Sequence, residues 1–160
     1  MSSDLEKRVQ LLEDIIAIEN LKHTYLNACD SKNVELMKST LRADQCDIDF
    51  GPVGKFNHRD KLVELFTEVA CHDFMLESHH AHNPIINVMN ERQAFGEWGL
   101  TYSLINTKDN SIVTLQGNYE DEYLKIDGQW VISKTLFIGK SSLNLQIEKE
   151  LLKVIFAGSP

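Results

Sequence analysis

Cysteine is scarce in this chain of 160 residues and occurs only as Cys29, Cys46 and Cys71. An odd number of cysteines without CxxC spacing argues against a disulfide framework and is typical of a reducing compartment. Each thiol is expected to be a small buried side chain rather than a nucleophile. The N-terminal segment MSSDLEKRVQ lacks the apolar core of a signal peptide. No apolar run approaches the roughly 18 residues that a membrane span needs. We therefore expect a cytoplasmic protein without membrane contact.

Basic residues are too few and too scattered to form a binding patch for polyanions. Sixteen Lys and Arg stand against 24 Asp and Glu, which gives a net charge of −8. Such a surface repels phosphate backbones and anionic lipids, so no nucleic-acid partner is expected. Only three prolines occur, and the chain shows neither a low-complexity linker nor a repeat. Residues 1–160 are therefore expected to form one domain, with a core over about residues 9–138.

The first third of the sequence has helical periodicity. Ser3, with Glu6 three positions later, is a capping box at the start of a helix. Residues 30–33 break this helix, and two shorter helices follow around Leu36 and Leu62, with a short strand at 46–50 between them. The apolar stripe of the first helix recurs at three- and four-residue spacing and consists of Leu11, Ile15, Ile18, Leu21, Tyr25 and Ala28.

The period changes to two after residue 76. The predicted strands are 84–90, 93–105, 111–125 and 129–138, and the short connections between them indicate an antiparallel meander. Residues 141–156 are predicted to form a C-terminal helix or arm. Helices followed by a strongly curved antiparallel sheet make an α+β fold. Such a sheet, closed by helices, encloses a pocket suited to a small hydrophobic molecule.

Chemically active side chains are densest at residues 77–84, which read Glu-Ser-His-His-Ala-His-Asn-Pro. Histidine is the side chain best able to move protons near neutral pH. In an extended backbone His80 and His82 share one face while His79 points to the other, so one ring is expected to face the pocket. The alternative stays open that two or all three are surface or interface residues.

A metal site is an alternative role for the same segment. His80 and His82 could supply two ligands, but a third would have to be a carboxylate such as Glu97 or Glu120, because no histidine follows residue 82. We expect neither a metal nor another cofactor.

Tyr25 and Asp30 lie near the end of the first predicted helix. Tyr25 belongs to the apolar stripe, so its buried hydroxyl needs a partner, either as part of the core or as an acid that faces a cavity. Asp30 could equally well end the helix and contact solvent. Five residues are separated by about 140° on an ideal helix. The spacing alone therefore does not bring the two side chains together.

Nucleotide and acyl-transfer motifs are missing from the chain. It contains no GxGxxG, no P-loop and no GxSxG elbow. The available acid–base groups are Tyr, His and Asp. This set suits proton abstraction and elimination better than acyl transfer.

Four segments carry a resemblance to a known family: IENLKHTYLNACDSKNVELMKSTL, HHAHNPIINV, AFGEWGL and DEYLKIDGQWVI. Together they resemble the bile-acid 7α-dehydratases, which are SnoaL-like lyases of the NTF2-like superfamily, over about residues 9–138. The KIDGQW turn that enters a Trp-containing strand is the most specific of these matches. Scytalone dehydratase resembles the chain more distantly. The resemblance implies an NTF2-like (cystatin-like) cone.

The resemblance also implies roles for individual residues. The catalytic Tyr, Asp and pocket His of the family fall on Tyr25, Asp30 and His79. His82 matches a further family histidine that is not itself catalytic. Two positions depart from the family pattern, because Tyr102 stands where the family has a second acidic residue and Gly139, beside Lys140, stands where it has an arginine. We therefore expect a dehydratase-like pocket with a changed substrate end.

The resulting hypothesis is a cofactor-independent dehydratase or isomerase that acts by proton transfer on a hydrophobic, steroid-like or polycyclic carbonyl compound. Tyr25, Asp30 and His79 would be catalytic. Two alternatives stay open: a non-catalytic module that binds a ligand or a protein, and a protein like the β-subunit of a ring-hydroxylating dioxygenase. A homo-oligomer, trimer or dimer, is expected. The residues expected to contact the substrate are Phe50, Trp98, Tyr102, His82 and Lys140.

Overall fold

The computed structural model of the protein describes residues 3–151 and 153–156. The predicted α+β order, with helices first and a sheet afterwards, is confirmed. None of the helices in these residues is long and apolar enough to cross a membrane. The elements in chain order are α1 (Asp4–Asp30), α2 (Val34–Ser39), β1 (Asp47–Asp49), β2 (Lys55–Phe56), α3 (Arg59–Val69), β3 (Met75–Asn90), β4 (Gln93–Asn106), β5 (Ser111–Ile126) and β6 (Gln129–Gln146).

Helix α1 begins and ends where its sequence indicates. Ser3 Oγ accepts a hydrogen bond from the backbone N of Glu6 at 3.1 Å, and the Glu6 carboxylate accepts one from the backbone N of Ser3 at 2.6 Å. This reciprocal pair is the capping box that the sequence predicts. At the other end Lys32 has a φ of 55°, which turns the chain out of the helix. Ile18 and Tyr25 lie in its buried stripe.

The sheet has six strands in the order β2-β1-β6-β5-β4-β3. Strands β3 to β6 form the predicted antiparallel meander, whereas β1 lies parallel to β6. Among the strands that the structure describes, β3 is therefore at an edge and pairs with β4. The register shifts between His82 and Ile85 in β3 and between Gln116 and Gly117 in β5. Such irregularities increase bend and twist, and they help the sheet to curve around the helices.

Strand β3 starts at Met75, well before the predicted start at residue 84, so that the whole histidine segment is part of the sheet. Pro84 does not end the strand, because an edge strand can tolerate a residue without an N–H. The preceding Asn83 has a φ of 49°, and the irregular pairing between His82 and Ile85 accommodates both residues. The early start of β3 places His79 opposite Tyr102 of β4.

The C-terminal prediction is wrong for residues 141–146. They were expected in a C-terminal helix or arm, but they form the end of β6 and pair with residues 111–116 of β5. Leu143 and Leu145 are spaced by two, which fits a strand, and the neighbouring strand supplies the hydrogen bonds that a helix would make within itself. In residues 147–151 and 153–156 no helix is found.

The core lies between α1 and the concave face of the sheet. Alternate residues of β4 from Ala94 to Leu104 face inward, as predicted. Trp98 is buried there, and its Nε1 donates a hydrogen bond to Tyr123 Oη at 2.9 Å. Gly96 allows this close packing, because a Cβ at that position would lie only 3.0 Å from the Tyr123 ring.

An ion pair is enclosed in this core. The side chains of Lys22 and Asp121 are both 0% exposed, and Lys22 Nζ lies 2.7 Å from Asp121 Oδ2. Tyr123 donates a hydrogen bond to the same carboxylate at 2.9 Å. The Lys22 ammonium also lies 3.5 Å from the centroid of the Tyr119 ring, which is a cation–π contact. Each buried charge is thus compensated by at least one neighbour.

Candidate active site

A cavity of about 770 Å³ opens between the helices and the concave face of the sheet. This volume lies within the range of small-molecule sites. Most of its wall is apolar, so a ligand is held there mainly by the removal of apolar surface from water. The wall includes Leu62, Leu65 and Phe66 from α3 and Leu100, Leu115 and Phe137 from the sheet.

His79 and Asp30 form a close pair at the wall of this cavity. His79 Nδ1 lies 2.6 Å from Asp30 Oδ1, and the backbone N of His79 donates a hydrogen bond to Asp30 Oδ2 at 3.0 Å. This second bond is possible because, in residues 3–151 and 153–156, no strand lies along the outer edge of β3, so the backbone N–H of His79 can donate to a side chain. The end of α1 packs against this edge and so brings Asp30, which is 49 positions away in sequence, to His79.

The contact with Asp30 determines which nitrogen of the imidazole carries the proton. A carboxylate can only accept hydrogen bonds, so Nδ1 carries the proton of the neutral ring and Nε2 is left as an acceptor. The side chains of His79 and Asp30 are 15% and 24% exposed, and His79 is the one that lines the cavity. The arrangement is that of a general base with an orienting carboxylate.

Tyr25 lines the same cavity from the buried stripe of α1. Burial, with smaller contributions from the neighbouring Cys29 and Tyr119, raises the pKa of Tyr25 well above its usual value. Its hydroxyl is therefore a neutral donor at physiological pH. Cys29 also lines the cavity, and burial raises the pKa of its thiol to about 12, so it is no nucleophile.

Tyr102 lies at the cavity as expected, but its partner Glu77 was missed by sequence reasoning. Tyr102 Oη donates a hydrogen bond to Glu77 Oε1 at 2.8 Å, and Lys32 Nζ lies 3.1 Å from Glu77 Oε2. Tyr102 and Glu77 line the cavity. The sequence does contain a pattern that predicts Glu77 at the cavity. Glu77 and His79 are two positions apart on a strand, so their side chains share a face.

Phe50 and Lys140 were also expected at the site, and both line the cavity. Phe50 packs edge-to-face on Tyr119, with ring centroids 6.2 Å apart. Lys140 is exposed and lies beside Gly139 on β6, so its charge is at the solvent side of the cavity.

The expectation that Trp98 lines the cavity is wrong. It shares the inward face of β4 with Leu100 and Tyr102, but α1 covers it completely, and it is 1% exposed. Its ring meets His23 of α1 edge-on, with centroids 5.8 Å apart. Trp98 is therefore a core residue beneath the helix.

The expectation that His82 contacts the substrate is also wrong, because His82 does not line the cavity. His82 is exposed on the outer face of the sheet, where its ring lies beside His80 with centroids 6.3 Å apart. The strand alternation places these two rings opposite to His79. In the described part of the chain, no three or more His, Cys, Asp or Glu side chains are grouped so that they could hold a metal ion.

Solved structures share this architecture. A protein from Novosphingobium aromaticivorans with a provisional assignment as a scytalone dehydratase is 22% identical; the match covers 88% of this chain and 93% of that one, with a TM-score of 0.79. The LinA-type3 hexachlorocyclohexane dehydrochlorinase of Novosphingobium barchaimii is 17% identical, with 86% and 94% covered and a TM-score of 0.77. A protein of unknown function with a cystatin-like fold from Nostoc punctiforme is 22% identical, with 79% and 91% covered and a TM-score of 0.65.

At these identities the likeness shows the fold, and it confirms the predicted NTF2-like (cystatin-like) arrangement of helices on a curved sheet. The sequence itself gives the family. The family model of the SnoaL-like domain matches residues 10–135, which is most of the chain. The chain belongs to the SnoaL-like domain family.

Proposed function

We propose that the protein is a cofactor-independent lyase, a dehydratase or isomerase, in which His79 removes a proton from a hydrophobic carbonyl compound. The observation that carries this proposal is the pairing of His79 Nδ1 with Asp30 Oδ1 at 2.6 Å on the wall of an apolar cavity. The family supports a lyase, because the neighbours include proteins named as a dehydratase and as dehydrochlorinases.

The proton is taken by His79 Nε2 from the carbon next to the substrate carbonyl. Asp30 stabilises the imidazolium that forms and orients the ring through its contact with Nδ1, while its second oxygen accepts from the backbone N of His79. The imidazolium then returns the proton to the departing hydroxyl, which leaves as water. Because every step is a proton transfer, the reaction requires no cofactor.

Tyr25 supplies the electrophilic assistance. Its neutral hydroxyl donates a hydrogen bond to the carbonyl oxygen as negative charge develops there. A donor in a dry, apolar cavity is worth more than the same donor in water, since the surrounding dielectric is low. Removal of one such donor typically costs on the order of 100- to 1000-fold in rate.

The substrate is expected to be polycyclic or steroid-like. The cavity of about 770 Å³ has room for several fused rings, and its apolar walls from α3 and the sheet match their faces. The resemblance to bile-acid 7α-dehydratases supports the same substrate class. Phe50 and Tyr102 would contact the ring system, and Lys140 would lie near its solvent-exposed end.

The proposal is tested with a panel of steroid and polycyclic β-hydroxyketones, together with chlorinated analogues, by the absorbance of the enone product. We expect His79→Ala to reduce kcat by about 100- to 10,000-fold, as loss of a general base does. His80→Ala is the matched control, because it removes the adjacent imidazole from the outer face of the same strand. Equal activity of His79→Ala and wild type would remove His79 from the mechanism.

Ligand binding is measured with the same panel by isothermal titration calorimetry. Tight binding without an absorbance change for any compound would contradict the lyase proposal and would support a non-catalytic binding module instead. The two functions use the same cavity but differ in this readout, so turnover decides between them.

A further inference from the structure

The hydrogen bond between Tyr102 and Glu77 has a fixed direction. Glu77 accepts from the Tyr102 hydroxyl at 2.8 Å on Oε1 and from Lys32 Nζ at 3.1 Å on Oε2. Both carboxylate oxygens thus accept hydrogen bonds, and the single proton of the Tyr102 hydroxyl points at Glu77. The oxygen of Tyr102 is left with lone pairs only.

This direction is held by burial. The side chains of Lys32 and Glu77 are 10% and 6% exposed, and Lys32 Nζ also donates to the backbone O of Ala70 at 2.7 Å. Burial, followed by the charge of Glu77 and the hydrogen bond to it, raises the pKa of Tyr102 above its usual range. Tyr102 therefore stays a neutral phenol at physiological pH, and its proton remains in the hydrogen bond to Glu77.

The free nitrogen of His79 lies in the same part of the cavity. The rings of His79 on β3 and Tyr102 on β4 are in contact, with centroids 4.5 Å apart and planes tilted by 48°. Since His79 Nδ1 is engaged by Asp30, Nε2 is an acceptor as well. His79 and Tyr102 thus each contribute an acceptor from neighbouring side chains in the wall of the cavity.

Anionic ligand groups are disfavoured at the part of the cavity where these two acceptors lie, its acceptor end. Asp30 and Glu77 both bring negative charge close to Tyr102 and His79, and the nearby Lys32 is engaged by Glu77 and Ala70 and does not line the cavity. The exposed Lys140 lies at the solvent side. A carboxylate at the acceptor end would meet the lone pairs of Tyr102 Oη and His79 Nε2 instead of a donor hydrogen.

We propose that Tyr102, oriented by Glu77, is a specificity-determining residue that accepts a hydrogen bond from a neutral hydroxyl group of the ligand. The cavity would thereby prefer hydroxylated polycyclic ligands to unsubstituted and carboxylated ones. The inference rests on the proposed function in one respect, namely that this cavity is the substrate site.

The test uses three fluorescent probes of the same ring size: 1-hydroxypyrene, pyrene and pyrene-1-carboxylate. The measured quantity is the ratio of the Kd of pyrene to the Kd of 1-hydroxypyrene. We expect Tyr102→Phe to lower this ratio about tenfold, because one hydrogen bond from the ligand is lost while the aromatic ring stays. Ser142→Ala is the control, since it removes a hydroxyl from the exposed side of the same cavity, and it should leave the ratio within about twofold.

Glu77→Gln provides an independent variant. An amide can donate as well as accept, so the Tyr102 hydroxyl is freed to turn toward the ligand as a donor. The Kd of 1-methoxypyrene, which accepts a hydrogen bond but cannot donate one, should therefore fall relative to the Kd of 1-hydroxypyrene in this variant. Thermal melting shows whether each variant is folded. If Tyr102→Phe does not fold, Glu77→Gln alone decides.

Unchanged Kd ratios in the folded variants would overturn the inference, and so would tighter binding of pyrene-1-carboxylate than of 1-hydroxypyrene to the wild type. These results are distinct from failure of the proposed function. Absence of turnover with an intact probe preference counts against the lyase alone. If turnover depends on His79 but Tyr102→Phe leaves the ratio of the two Kd values unchanged, this inference alone is contradicted.

Discussion

Asp30 contacts His79 twice, once at the ring and once at the backbone. Oδ1 lies 2.6 Å from the ring Nδ1, and Oδ2 accepts from the backbone N at 3.0 Å. One carboxylate thus fixes both the rotation of the imidazole and the end of α1 against the edge strand. The same contact that joins two elements of the fold also sets the chemistry of the proposed base.

Asp30→Asn should reduce activity while the fold is kept. An amide nitrogen facing Nδ1 favours the tautomer with the proton on Nε2, so the acceptor that faces the cavity is lost. We expect kcat to fall by about 100- to 10,000-fold, as in other sites where the orienting carboxylate of a histidine base is replaced. The measurement is the initial rate of enone formation, with the exposed Asp73→Asn as control. Retention of most of the activity would show that Asp30 does not orient the base.

Lys22→Met should destabilise the protein strongly. It leaves the carboxylate of Asp121 buried at 0% exposure without its ammonium partner, and an uncompensated buried charge costs about 3–5 kcal/mol. The free energy of unfolding is measured by urea titration. Lys61→Met is the matched control, because the Lys61–Glu64 pair is 64% and 65% exposed and solvent screens such surface pairs, so the free energy of unfolding should hardly change.

The double variant Lys22→Met with Asp121→Asn separates the charge from the packing. It removes both charges and keeps an acceptor for Tyr123, so its loss of stability should be smaller than the sum of the two single losses. A coupling on the order of 1–3 kcal/mol is expected. Strictly additive losses would mean that the two buried side chains do not stabilise each other.

The three cysteines should differ in their reactivity. Burial raises the pKa values of Cys29 and Cys46 to about 12, and it raises the pKa of the half-buried Cys71 as well. A raised thiol pKa means less thiolate, the reactive form, at pH 8. Alkylation by iodoacetamide, followed by mass spectrometry, should therefore label Cys71 first. Labelling of Cys29 and Cys46 should be at least about 100-fold slower than in the urea-unfolded chain, where the thiol pKa is about 8.5. Rapid labelling of Cys29 in the native protein would contradict its burial in the cavity wall.

Local structure was largely predictable from the sequence. The capping box of Ser3 and Glu6 and the alternation along β4 are local patterns, and both are present as expected. The limits of β3 and β6 could not be predicted in this way. Pro84 is tolerated inside β3 because β3 is an edge strand, and residues 141–146 form a strand because β5 lies beside them. A strand depends on its neighbour for hydrogen bonds, and the sequence does not say which neighbour is present.

What the sequence alone determined is the face on which each residue lies, since the periods of 3.6 and 2.0 follow from backbone geometry. It separated His79 from His80 and His82 and, through the resemblance, pointed to Tyr25 and Asp30. The tertiary structure decided which of the inward residues reach the cavity. Trp98 is covered by α1, whereas Tyr102, four residues further along the same strand, is left open to a ligand. It also joined Asp30 to His79 and Glu77 to Tyr102, because contacts between distant segments depend on how helices and strands pack, which no local period contains.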